Sequence, residues 1–133
     1  MLNRLFSRKA GTKDGLTQPQ REAIVDLLHY CMFADNLVTL SEAGFIEAIE
    51  ESYSWDPNIS LEYYQGKSIG ATRAALANPE ARKKFLESIN QRLATADVKR
   101  KAFDLCEKLF LVDGAKPASE VAAQGEVRAA LGL

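Results

Sequence analysis

Four carboxylates stand in a pattern that could ligate a cation. They are Asp35 and Glu42 in Ala34-Asp35-Asn36-Leu37-Val38-Thr39-Leu40-Ser41-Glu42, and Asp113 and Glu120 in Val112-Asp113-Gly114-Ala115-Lys116-Pro117-Ala118-Ser119-Glu120. In each stretch the aspartate follows a small apolar residue, and Ser-Glu comes six and seven positions later. The flanks match as well: Asp26-Leu27 lies nine residues before Asp35, and Asp104-Leu105 nine before Asp113. Oxygen ligands of this kind suit hard cations such as Ca²⁺ or Mg²⁺. Neither stretch is an EF-hand, because the acidic ladder is missing and the twelfth positions are Ile46 and Gln124. A second reading needs no ion. An aspartate at a helix C-terminus meets the negative end of the macrodipole, at a cost of about 0.3–1 kcal/mol. Folding back onto the free N–H groups of the next helix would offset that cost. A third reading is a surface for a protein partner.

The elements that must position these residues read as helices. Thr17 with Gln20 forms a capping box, Pro19 suits a first turn, and Ile24, Leu27, Leu28, Cys31 and Met32 recur at helical spacing to about Ala34. Thr39 and Glu42 form a second capping box, opening a helix with Phe45, Ile46, Ile49 and Tyr53 on its apolar stripe. Pro57 ends that pattern. Between Ser60 and Ala77, Gly66 and Gly70 predict a break near Gly66-Lys67-Ser68, with a second piece from Ile69 to Leu76. Asn78-Pro79-Glu80 starts the next helix, with Phe85, Leu86, Ile89 and Leu93 on its stripe. Thr95-Ala96-Asp97 opens a further one, with Ala102, Leu105, Cys106, Leu109, Phe110 and Val112 on its buried face. The last runs from about Ser119 to Leu131, with Val121, Val127 and Leu131 apolar and Gly125 weakening its middle. No convincing alternation with period two appears. The predicted fold is all-α: one domain of six or seven helices over residues 17–133, with an internal pseudo-two-fold helix-loop-helix repeat, preceded by a basic tail, residues 1–16.

Composition narrows the function classes. The 133 residues are 47% apolar and 26% charged, ordinary values for one globular domain. The net charge of −1 offers no basic field for nucleic acid, so no nucleic-acid partner is expected. Arg4, Arg8, Lys9 and Lys13 against Asp14 make residues 1–14 locally basic, which leaves the rest of the chain acidic. Leu2, Leu5 and Phe6 can share one helical face amid those cations, a pattern that can rest on an anionic membrane surface. Two cysteines make no disulfide framework and no zinc motif. No apolar run is long enough to span a bilayer, and no secretory leader is apparent, so a cytoplasmic location is expected. His29 stands mid-helix as a satisfied or solvent-edge residue. Asp26 and Asp104 are equivalent in the repeat and suited to pairing with a cation on a neighbouring helix. Tyr53, Trp55, Tyr63 and Tyr64 read first as core filling, with a ligand groove as the alternative. No nucleophile–base–orienter set or phosphate-cradling glycine loop stands out.

Ala34-Asp35-Asn36-Leu37-Val38-Thr39-Leu40-Ser41-Glu42 resembles the loop of TerB-like proteins, the tellurite-resistance-associated family whose domain also opens the DjlA co-chaperone. That loop reads roughly Ala-Asp-Gly-x-Ile-Ser-x-Glu-Glu and occurs twice in a pseudo-symmetric helical domain. Asp35, Val38, Thr39 and Glu42 match it, as do Asp113, Gly114 and Glu120 in the second copy. Asn36 stands for the glycine and Ser41 for an acid, and Lys116-Pro117 replaces the apolar and capping pair. The resemblance covers about residues 17–131. It implies a non-enzymatic, stress-associated bacterial protein that binds divalent cations and assembles with protein partners at the inner face of the membrane. The carboxylates Asp35, Glu42, Asp113 and Glu120 would be its metal ligands. Two other readings stand beside it: a peripheral membrane adaptor using residues 1–14, and an enzyme using carboxylates as acid and base.

Overall fold

Thr17 and Thr39 each begin a helix in the same way. The Thr17 hydroxyl accepts from the Gln20 N–H at 3.3 Å while Gln20 Oε1 accepts from the Thr17 N–H at 2.9 Å. Thr39 and Glu42 repeat the exchange at 3.1 and 3.2 Å. Each box satisfies two N–H groups that a helix start would otherwise leave unpaired. The structure, a computed structural model, describes residues 14–34, 38–112 and 118–133. Within them lie six helices and no strand: α1 Gln18–Phe33, α2 Leu40–Ser52, α3 Leu61–Leu76, α4 Pro79–Leu93, α5 Ala96–Leu111 and α6 Ala118–Ala130. Ser60, Asn78 and Thr95 cap α3, α4 and α5 with side-chain oxygens. Thr39→Ala should remove the cap of α2 and lower stability by about 1 kcal/mol, read as an earlier urea midpoint with unchanged slope.

α1 is the centre. Every residue from Ala23 to Met32 is buried, and the helix touches each of the other five. A helix covered on all sides belongs in the core of a domain rather than on its surface. Ile24, Leu27 and Leu28 meet Ile89 and Leu93 of α4, Phe103, Leu109 and Phe110 of α5, and Val127 of α6 in one apolar cluster. Fully burying such a side chain stabilises the fold by about 1.5–3 kcal/mol.

Two long-range links set the helix directions. Gln20 Nε2 donates to the Leu93 carbonyl at 2.9 Å, which fixes the start of α1 beside the start of α5. Farther along, the buried Cys31 and Cys106 thiols neighbour one another. α1 and α5 therefore run parallel. Both finish at one end of the molecule, where α2 and α6 begin.

At the opposite end, Asp14 fastens the chain entry. Its carboxylate accepts from Arg21 Nε at 2.8 Å and Nη2 at 3.0 Å, and from the N–H groups of Leu16 at 3.0 Å and Ser54 at 2.9 Å. Asp14 and Leu16 were grouped with the basic tail on sequence grounds, yet both are tied to the helical body, and Leu16 joins the core.

The expected break at Gly66-Lys67-Ser68 does not occur. α3 is continuous through Gly66 and Gly70. Both glycines face outward, and a Cβ at either would meet nothing within 4 Å. The buried side holds Tyr64, Ser68, Thr72 and Ala75, a small and polar stripe against α1 and α4. Packing on that stripe outweighs a glycine cost of about 1 kcal/mol per position.

Candidate functional site

The end where α1 and α5 finish carries what the described residues show of the four carboxylates. Glu42, in the first turn of α2, is 2% exposed, and Glu120, in the first turn of α6, is 4% exposed. Carboxylates at helix N-termini meet the positive end of the macrodipole. Glu42 spends one oxygen on its capping box. Glu120 lies close enough to Cys31 to raise its thiol pKa, behind the larger effects of the Cys106 contact and of burial. Asp35 and Asp113 lie outside the described residues, as do Asn36 and Lys116-Pro117. Among the described residues, no three His, Cys, Asp or Glu side chains converge as metal ligands do.

Apolar surface gathers at the same end. Leu40 is 93% exposed and Leu111 is 58% exposed. Val38, Val112 and Val121 are exposed too, each within a few residues of one of the two helix–helix turns; Val112, expected on the buried face of α5, is its C-cap residue and leaves the core there. The other exposed large apolar side chain among the described residues is Tyr63, on α3. Phe33, Val38 and Leu76 help to line a cavity of about 510 Å³ there, with the Arg73 guanidinium 5.2 Å from the Phe33 ring centre. Another groove, about 720 Å³, lies elsewhere, between α4 and α6, lined by Arg82, Lys83, Asn90 and Glu126. Its carboxylates are Glu87 and Glu126; neither Glu42 nor Glu120 lines it.

A second polar cluster, which repeat arithmetic only half identified, bridges α1, α3 and α4. The Tyr64 hydroxyl bonds both oxygens of Asp26 at 2.9 Å, and Arg92 Nη2 bonds Oδ2 at 2.7 Å. Asp26 thus has the arginine on a neighbouring helix that its position suggested. Its repeat counterpart Asp104 is exposed, so the two positions do not share an environment. One turn from Asp26, His29 Nδ1 lies 2.8 Å from the Ser68 hydroxyl. His29 is buried, and desolvation lowers its pKa to about 4 although the Asp26 charge opposes the shift. Ser68 was hidden from sequence reasoning by the predicted break beside it. Its spacing from Tyr64 and Thr72, four residues each way, was the signal available.

The remaining singled-out residues fall into the frame. Cys31 and Cys106 are fully buried free thiols on α1 and α5. Tyr53 packs on the core, and Trp55 lies 5.7 Å from Tyr64, ring to ring. Tyr63 instead points outward. Among the described residues, no helix is long and apolar enough to cross a membrane. Compared with known proteins, the chain matches no family model, no curated protein and no solved structure.

Proposed function

We propose that the chain is a non-catalytic helical binding module of TerB-like type. Its two helix-loop-helix pairs, α1–α2 and α5–α6, would be copies of one unit, and their shared turning end would be the working surface. That end would take a divalent cation such as Ca²⁺ or Mg²⁺ through Asp35, Glu42, Asp113 and Glu120. It would assemble with a protein partner through the apolar side chains around Leu40 and Leu111, in a stress-associated role at the inner face of the membrane. The observation that carries this reading is the parallel course of α1 and α5. It puts the ends of α1 and α5 and the starts of α2 and α6 at one end of the molecule, with the buried Glu42 and Glu120 in the first turns of α2 and α6. The degraded Lys116-Pro117 turn predicts that the first copy contributes more to binding than the second.

Calorimetric titration with Ca²⁺, Mg²⁺ and Mn²⁺ tests the cation. Wild-type protein should give saturable heat at an affinity on the order of millimolar or better. Asp35→Asn combined with Asp113→Asn should abolish it, and Asp35→Asn alone should remove more than Asp113→Asn alone. A wild-type protein that gives no heat with any of the three ions ends the cation reading.

A further inference from the structure

The geometry points to the groove between α4 and α6 as a binding site for a short peptide with free ends. At about 720 Å³ the groove is in the size range of small-ligand sites. Its polar groups are sorted along its length. On α4, Arg82 and Lys83 come first, Leu86 next, and Glu87, Asn90 and Gln91 last, all lining the groove. Residues three or four apart share a helix face, so this order in sequence is an order in space. One end is cationic, the middle is apolar, and the other end offers acceptors.

Two of these side chains hold bonding capacity that the fold leaves unused. Arg82 Nη2 donates to the Leu76 carbonyl at 3.0 Å, which anchors the guanidinium. Its Nε donates to nothing, and Nη1 stands 3.8 Å from a Glu126 oxygen, beyond hydrogen-bond reach. The other Glu126 oxygen accepts from the Tyr30 hydroxyl. Asn90 Oδ1 accepts from nothing. Both orphan atoms are covered by protein, but both residues are half-exposed, so a small side-chain rotation turns either atom into the groove. Buried polar atoms are nearly always bonded. An orphan donor toward one end of a groove and an orphan acceptor toward the other call for a ligand that accepts at one end and donates at the other.

The two termini of a peptide supply these groups. A C-terminal carboxylate fits Arg82 as a charge-assisted pair, with Lys83 beside it. An N-terminal ammonium fits Glu87 and Asn90 Oδ1. From Arg82 to Asn90 the helix rises about 12 Å, and three extended residues span about 10 Å, so a tripeptide bridges the two ends. An apolar central side chain then comes to Leu86, with Ala130 across the groove. A dianion is opposed by Glu87 and Glu126, and a plain cation by Arg82 and Lys83. The inference is independent of the cation reading, since it rests on none of the four proposed ligands.

The test is an NMR titration of the full chain with Ala-Leu-Ala. Amides of residues 82–91 and 126–130 should shift and saturate at a Kd on the order of millimolar or lower, while those of α2 stay in place. Amidating the peptide's C-terminus, or acetylating its N-terminus, should each weaken binding about tenfold. Arg82→Gln should weaken the free peptide to the level of the amidated one, and amidation should then cost nothing more. Glu126→Gln, which removes the nearest opposing charge, should tighten the free peptide and leave the amidated one unchanged. The comparison of free and blocked peptides on wild-type protein decides the matter even if a variant fails to fold. Shifts that do not saturate, that fall outside the groove, or that are equal for free and blocked peptides would overturn the proposal. So would an amidation cost that survives Arg82→Gln, which would place the carboxylate elsewhere.

Discussion

Asp26→Ala should destabilise the protein by about 3–5 kcal/mol, the usual cost of removing one partner from a buried charge pair. The substitution leaves the Tyr64 hydroxyl and the Arg92 guanidinium without their shared acceptor, at a point where α1, α3 and α4 meet. Arg92 keeps its bonds to Ser88 and its access to water, which places the loss toward the lower part of that range. Asp104→Ala is the matched control, because Asp104 is exposed and should change stability by no more than about 0.5 kcal/mol. Urea denaturation of both variants decides the matter. Equal midpoints for the two would mean that the Asp26 cluster is not a stabilising joint.

Acid should unfold the protein in two separable windows. His29 is buried neutral, with its pKa lowered from 6.5 to about 4. The unfolded state therefore binds the proton more readily, and His29 contributes stability that is complete above about pH 6.5 and lost as pH falls through 4. A shift of that size corresponds to roughly 3 kcal/mol. Asp14 acts lower down. Burial would raise its pKa, but the bonds from Arg21, Leu16 and Ser54 outweigh burial and hold it at about 2. Its contribution is complete above about pH 4 and lost as pH falls through 2, a further loss of roughly 2 kcal/mol. Stability measured against pH should thus flatten between 6.5 and 4 in His29→Gln and between 4 and 2 in Asp14→Asn. A wild-type profile level from pH 6.5 to 4 would contradict the buried neutral histidine.

The helix starts were legible because each is written locally. A threonine with Glu or Gln three residues on, or Asn-Pro-Glu, specifies both the cap and the first turn, so Thr17, Thr39 and Asn78 marked their helices without tertiary information. The course of α3 was not legible, because its buried stripe is Tyr64, Ser68, Thr72 and Ala75 rather than a run of large apolar residues. What makes that side a core face is the Asp26–Arg92 pair and His29 opposite it, supplied by helices distant in sequence. The candidate site was legible as a doubled acid pattern, but the burial of Glu42 and Glu120 was not, since the first-turn acids Glu62, Glu80 and Asp97 are exposed. The apolar surface beside it was not, since Leu40 and Leu111 occupy positions that a helical stripe would count as ordinary.

The burial of α1 on every side also governs when the chain can close. Its cover is assembled from pieces spread along much of the sequence, the last of them Val127 of α6 and Leu131 just beyond it. A ribosome adding about 5–20 residues per second needs on the order of 5–20 s to pass from the end of α1 to those residues. For that interval α1 lacks its final cover, whatever the earlier helices have built around it. Completion of the core thus waits for α6, with the most deeply buried helix waiting longest for its last neighbour.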